Sequence, residues 1–159
     1  MGVIIARIDQ RLVHGIVVTQ WASTVKAKRI MVVDDIVAGD EARKAAMRMS
    51  KPAGTGMSLI DTRTAIANFK AKKYENHNVL LVVNNVQVLL DLVNNGVKIP
   101  KVNIGIMLDR EDRKKYAKSF AASKEELRQL EELSDKGISV FYQFTPSDKE
   151  EPLSKFLSI

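Results

Sequence analysis

The chain contains no cysteine. That removes disulfides, thiolate nucleophiles and thiolate metal sites, and leaves any nucleophile to another residue type. It has no long apolar run either. The longest, Val79 to Val83, is far short of the about 20 residues needed to cross a bilayer, and no basic patch followed by an apolar stretch opens the sequence as a signal segment would. A soluble, cytoplasmic protein is expected. Histidine is scarce, two in 159 residues, so a metal site built on histidine pairs is not expected, and neither is a cofactor. Aromatic residues are few, one Trp, three Tyr and five Phe. The basic residues, among them Arg29, Lys51, Lys72, Lys73, Lys101, Lys114 and Lys115, are spread along the chain with no basic and aromatic stripe for single strands. Nucleic acid is therefore not an expected partner. Also absent are G-x-x-x-x-G-K-[ST] and G-x-G-x-x-G, and the one G-T-G, Gly54 to Gly56, precedes a strand instead of following one, so nucleotide binding lacks support. No G-x-S-x-G elbow offers a serine nucleophile.

What is present is enough apolar material, 45% of residues, for one substantial core. One domain over residues 1–159 is expected. The net charge of +6 favours a negatively charged partner. Short β-branched runs alternate with amphipathic stretches, the pattern of a single-domain α/β fold with a doubly wound, mainly parallel β-sheet and helices on both faces. Strands are expected over 3–8, 29–34, 56–60, 78–83, 101–105 and 137–144, and helices over 15–25, 37–50, 61–72, 85–95 and 123–136. In the second helix Ala42, Ala45, Ala46 and Met49 repeat with helical spacing and are expected to face the sheet, as are Leu127, Leu130 and Leu133 in the last. Gly96 and Gly137 stand where left-handed caps follow helices, and Ser123 with Glu126 forms a capping box. Residues 146–152 read as a turn before a short terminal helix that docks on the sheet edge.

Ligands of such sheets bind beyond the carboxyl ends of the strands. There the first strand is followed by Asp9-Gln10-Arg11-Leu12-Val13-His14-Gly15. His77 precedes its strand, at the opposite end, and is expected to be a surface residue. His14 alone would be as readily structural as functional, but its neighbours matter. A neutral imidazole attacks phosphorus well near pH 7 and leaves easily once protonated. Phosphoryl transfer then needs positioning and cancellation of charge. Arg11 can supply paired N–H donors. Gly15 and the following helix start can supply free backbone N–H groups. Asp9 either holds Arg11 or orients the imidazole; the blander alternative makes Asp9 a turn cap and Arg11 a solvated charge. Asn84 and Gly105 close other strands and can border the same crevice. The acidic pair Asp34 and Asp35 follows the second strand, where a phosphoacceptor receiver would need it after the first.

The segment ARIDQRLVHGIVVTQW, Ala6 to Trp21, resembles the active-site segment of the IIB component of the mannose/fructose/sorbose family of the bacterial phosphotransferase system. The likeness continues through Arg29 to Gly54, Val79 to Ile99 and Val102 to Met107. The resemblance implies a phosphocarrier in which His14 accepts phosphate on Nδ1 from a IIA phosphohistidine. Arg11 and the loop backbone at Val13 and Gly15 would hold that phosphate, which then passes to a sugar entering through membrane components IIC and IID. It also implies attachment to the inner face of the membrane through those partners, and a homodimer is compatible with the fold. Two places depart from the family pattern: Ile16, where Gln is common, and the stretch 106–113, where a glycine-rich basic turn is usual. In the latter, Arg110 or Arg113 either replaces a phosphate contact or belongs to a surface turn. These departures keep one alternative open, a non-catalytic regulatory or binding module on the same fold.

Overall fold

In a computed structural model, residues 2–15 and 17–157 of the chain are described. The parallel strands are β1 (Gly2–Asp9), β2 (Arg29–Val33), β3 (Gly56–Ile60), β4 (Asn78–Val83), β5 (Lys101–Ile106) and β8 (Ser139–Tyr142). Between β5 and β8 a hairpin of β6 (Lys114–Ala117) and β7 (Phe120–Ala122) is inserted, and β9 (Glu151–Pro152) follows β8. The main sheet runs β3-β2-β4-β1-β5-β8-β9, parallel throughout except for antiparallel β9 at its edge. The helices are α1 (Val17–Thr24), α2 (Asp35–Ala38), α3 (Glu41–Arg48), α4 (Thr62–Lys70), α5 (Val86–Asn94), α6 (Lys124–Asp135) and α7 (Ser154–Leu157).

Each central strand is buried on both sides, and its residues alternate between two cores with the period of a pleated strand. Val79, Leu81 and Val83 of β4 enter one core with Leu89 of α5 and Leu130 and Leu133 of α6. Leu80 and Val82 enter the other with Val18 and Trp21 of α1, Val37 of α2 and Met47 of α3. This is the doubly wound α/β arrangement expected from the alternating pattern. No helix among the described residues is long and apolar enough to cross a membrane.

Three expectations are corrected. The helix expected over 37–50 is two helices, because Asp34 and Asp40 each cap a new start, accepting the N–H of Val37 and of Arg43. Its alanine face does not pack on the sheet. Ala42, Ala45, Ala46 and Met49 are exposed and only Met47 of α3 is buried, because alanine carries too little apolar area to compel burial once the helix is cut short. The first helix, expected to begin at residue 15, does not include Gly15, which stands in a left-handed turn at φ 66°; the helix is described over Val17–Thr24. The β6–β7 hairpin fills a stretch between β5 and α6 for which no element was expected; its strands are four and three residues long, too short for a clear alternating pattern. The capping box of α6 is present as expected, with both reciprocal bonds. The terminal segment docks on the sheet edge, where Leu153 and Phe156 are buried beside β8.

Candidate active site

From β1 the chain steps toward one edge through β2 and β3 and turns back at the β3-to-β4 connection, so the helix after β1 and the helices after its neighbours β4 and β5 cover opposite faces, which places the ligand crevice at the carboxyl ends of β1 and its neighbours. The loop leaving β1 turns tightly, with the Leu12 N–H donating to the Asp9 carbonyl at 2.8 Å and Leu12 itself at φ 56°. A branched side chain in that conformation is strained. Burial of Leu12 and Val13 in the core shared with Val18 and Trp21 holds it there. With these two anchored, Arg11 and His14 are left exposed.

Arg11, Val13, His14 and Gly15 line one cavity of about 280 Å³, closed on its far side by Arg43, Ala46, Met47 and Ser50 from α3 and its end. Arg11 also lines a neighbouring cavity of about 300 Å³ with Leu108, Phe144 and Lys115 and Lys118 of the hairpin. A larger cavity, about 650 Å³, opens at the opposite end of the sheet beside Val3, Lys98 and Lys136, away from His14. The groups suited to chemistry gather at the smaller cavity, whose lining includes His14, Arg11 and Arg43.

The remaining candidate residues lie behind or beside it. Asp9 is buried and, among the described residues, forms no ion pair or side-chain hydrogen bond with His14 or the Arg11 guanidinium. It accepts the Arg11 backbone N–H at 2.9 Å and the Nε–H of Arg7 at 3.2 Å, so it shapes the turn. Asn84 donates from Nδ2 to the Gln10 carbonyl at 3.2 Å. Arg110 lines neither cavity and pairs with Asp112 at 3.3 Å on the surface. Arg113 is buried and fully used: it donates to both Glu126 oxygens at 2.8 and 2.6 Å, to the Leu108 carbonyl at 2.8 Å and to Gln10 Oε1 at 2.6 Å. The 106–113 departure thus clamps the loop through Gln10, which also accepts the Leu108 N–H. Ile16 lies outside the described residues. His77 is half-buried at the amino end of β4, where its Nδ1 accepts from Arg29 Nε at 3.4 Å.

Sequence reasoning missed Arg7. It sits in β1 with no solvent exposure, donates from Nη1 to Asn103 Oδ1 at 2.7 Å and to the Phe144 carbonyl at 2.9 Å, and lies 5.6 Å from the Trp21 ring centroid. Its Nη2 has no hydrogen-bond partner among the described residues. The guanidinium fits because β5 has Gly105 there: a Cβ at that position would stand 2.2 Å from Arg7 Cζ. Gly105 is therefore a space-maker for Arg7. Burial pushes Arg7 below and Asp9 above their usual values, each opposed by the other's charge. An arginine inside the two-sided apolar run VIIARI was the available signal, since a buried charge must have partners. Arg43 gave no signal, because the fold alone brings α3 to the loop after β1.

An exposed imidazole between cationic side chains, at the crevice of a doubly wound sheet, has the makings of a phosphoryl carrier. The family profile "PTS system sorbose subfamily IIB component" matches residues 3–159, and the chain belongs to that family. Its relatives are phosphoryl-carrier subunits of sugar uptake. It is 32% identical over 157 residues to the fructose-specific EIIB component of the phosphotransferase system in Bacillus subtilis (strain 168), covering 99% of this chain and 96% of that one. With the sorbose-specific EIIB component of Klebsiella pneumoniae it shares 30% identity over 148 residues, 93% of this chain and 90% of the relative. The crystal structure of the IIBSor domain of the sorbose permease from Klebsiella pneumoniae superposes with a TM-score of 0.93 at 28% identity, over 99% of this chain and 97% of that one.

Proposed function

We propose that the whole of residues 1–159 acts as one cytoplasmic IIB domain in which His14 carries the phosphoryl group. The supporting observation is the shared cavity, in which Arg11 and Arg43 flank His14 with the backbone of Val13 and Gly15. The His14 imidazole, through Nδ1, attacks the phosphorus of a IIA phosphohistidine. The donor N–P bond breaks as the new one forms, and the donor imidazole leaves with a proton. A sugar hydroxyl, presented by membrane components IIC and IID, then takes the phosphoryl group as the His14 N–P bond breaks, and the hydroxyl proton passes to the freed imidazole. Both steps pass through a transition state with negative charge on the equatorial oxygens, which fixed donors stabilise. Arg11, its backbone held by Asp9, and Arg43, from a separate helix, can bracket those oxygens, with Arg113 and Asn84 holding the loop through Gln10.

Incubation with phosphoenolpyruvate, the general phosphotransferase proteins and a matching IIA tests this. An acid-labile, base-stable phosphate should appear on the chain and be absent from His14→Ala. Label persisting in that variant overturns the assignment.

A further inference from the structure

The basic residues are dispersed along the sequence, but the parallel topology collects many of them at one end of the molecule. Each helix-to-strand connection of such a sheet returns the chain to the amino ends of the strands. Lys26 and Lys28 lie just before β2, and Lys70, Lys72 and Lys73 stand between the end of α4 and β4. Lys98 and Lys101 lead into β5, and Lys136 leads into β8. All of them are exposed, and among the described residues none forms an ion pair. Within residues 25–28, 70–77, 95–101 and 135–138, lysine outnumbers carboxylate eight to two, the carboxylates being Glu75 and Asp135, and arginine is absent. The excess within these segments, six, is as large as the net charge of the entire chain, +6. These segments head β2, β4, β5 and β8, which span about 20 Å at the usual strand spacing.

We propose that this end is an electrostatic docking face for the anionic surface of a lipid bilayer. The residue types select that partner. Lysine is a compact, hydrated point charge on a flexible stem, suited to a diffuse field of headgroups, whereas bidentate recognition of a fixed phosphate or carboxylate calls on arginine. Arg29, the nearest guanidinium, is occupied within the protein by Ser58 and His77. Tyr74, the aromatic ring nearest these lysines, is buried against Phe69 and Arg29 and offers no platform for stacking bases. Clusters of several lysines are held at anionic leaflets without a pocket. Docked this way, β1 runs away from the leaflet and places His14 about 25 Å from the lysines, at the length of eight extended residues. The docked carrier presents its reactive end to the solution from which a protein donor arrives, and delivery to a membrane-embedded acceptor requires it to release the leaflet and turn. The docking does not rest on the role of His14, and it needs lipid alone, without partner subunits.

The test is cosedimentation of the full chain with phosphatidylcholine vesicles, with and without about one-third phosphatidylglycerol. Binding is expected only with the anionic lipid at low salt, and should be lost near 0.5 M salt, where screening reaches only about 4 Å. Each lysine near an anionic leaflet contributes on the order of fivefold. The variant Lys70→Gln/Lys72→Gln/Lys73→Gln/Lys98→Gln should therefore partition about 10²–10³ less. A variant of the opposite end, Arg43→Gln/Lys115→Gln/Lys118→Gln, should stay within about threefold of the parent. Equal losses in the two variants would mean binding by net charge with no docking face, and no binding to anionic vesicles at low salt would end the proposal. Tighter retention by duplex DNA than by vesicles at matched salt would overturn it in favour of nucleic acid.

Discussion

Replacing Gly105 by alanine tests the foundation of the site. The added Cβ would lie 2.2 Å from Arg7 Cζ, 2.4 Å from Nη1 and 2.5 Å from Nη2, at least an ångström inside normal contact distance. The guanidinium cannot swing into solvent, because Arg7 is completely buried. It has to break its bonds to Asn103 at 2.7 Å and to the Phe144 carbonyl at 2.9 Å, and to loosen the 3.2 Å pair with Asp9. Overpacking a core costs about 1–3 kcal/mol, and uncoupling a buried ion pair costs about 3–5 kcal/mol. Gly105→Ala should therefore lose about 3–5 kcal/mol, a large share of the about 5–15 kcal/mol that keeps a domain folded. Urea unfolding, read as a shift of midpoint at constant slope, measures it. A cycle with Arg7→Met isolates the cause: without the guanidinium the same alanine should cost under about 1 kcal/mol. A cost below about 1 kcal/mol in the parent background, or strict additivity in the cycle, would refute the idea that glycine is there to admit Arg7.

Arg11→Ala should fold normally yet slow phosphate transfer by about 10²–10³, the usual loss for one preorganised donor; equal rates in stopped-flow transfer from phosphorylated IIA would show that the backbone suffices. Arg43→Gln should slow the same step by about tenfold, since Arg11 and the loop backbone remain at the cavity, and an unchanged rate would remove α3 from the site. For Glu126, burial alone would raise the carboxyl, but Arg113 and the Ser123 N–H more than offset it, and the group lies below its usual 4.5. A depressed carboxylate adds stability that is present above the unfolded value and lost as pH falls through the folded one. Urea midpoints should therefore drop below about pH 4.5, and Glu126→Gln should flatten that acid limb; an identical limb in the variant would contradict it.

Much of this protein follows from local chemistry. The two-sided apolar runs of β2 and β4 require a sheet covered on both faces, Ser123 and Glu126 cap α6 by contacts three residues apart, and Gly96 and Gly137 take the left-handed caps at φ 89° and 87°. The position of His14 just past β1 is readable for the same reason: a strand ending and a loop beginning are short-range events. The tertiary structure decided what depends on register between distant segments. Arg7 meets Asn103 across 96 residues and the Phe144 carbonyl across 137, and Gly105 is needed only because those strands align. Arg113 reaches Gln10 across 103 residues, and α3 brings Arg43 to a loop that precedes it by nearly thirty positions. The lysine face exists for the same reason. Charge is a sum along the chain, but its separation into ends is set by the crossing direction of parallel connections, which no local pattern of residues records.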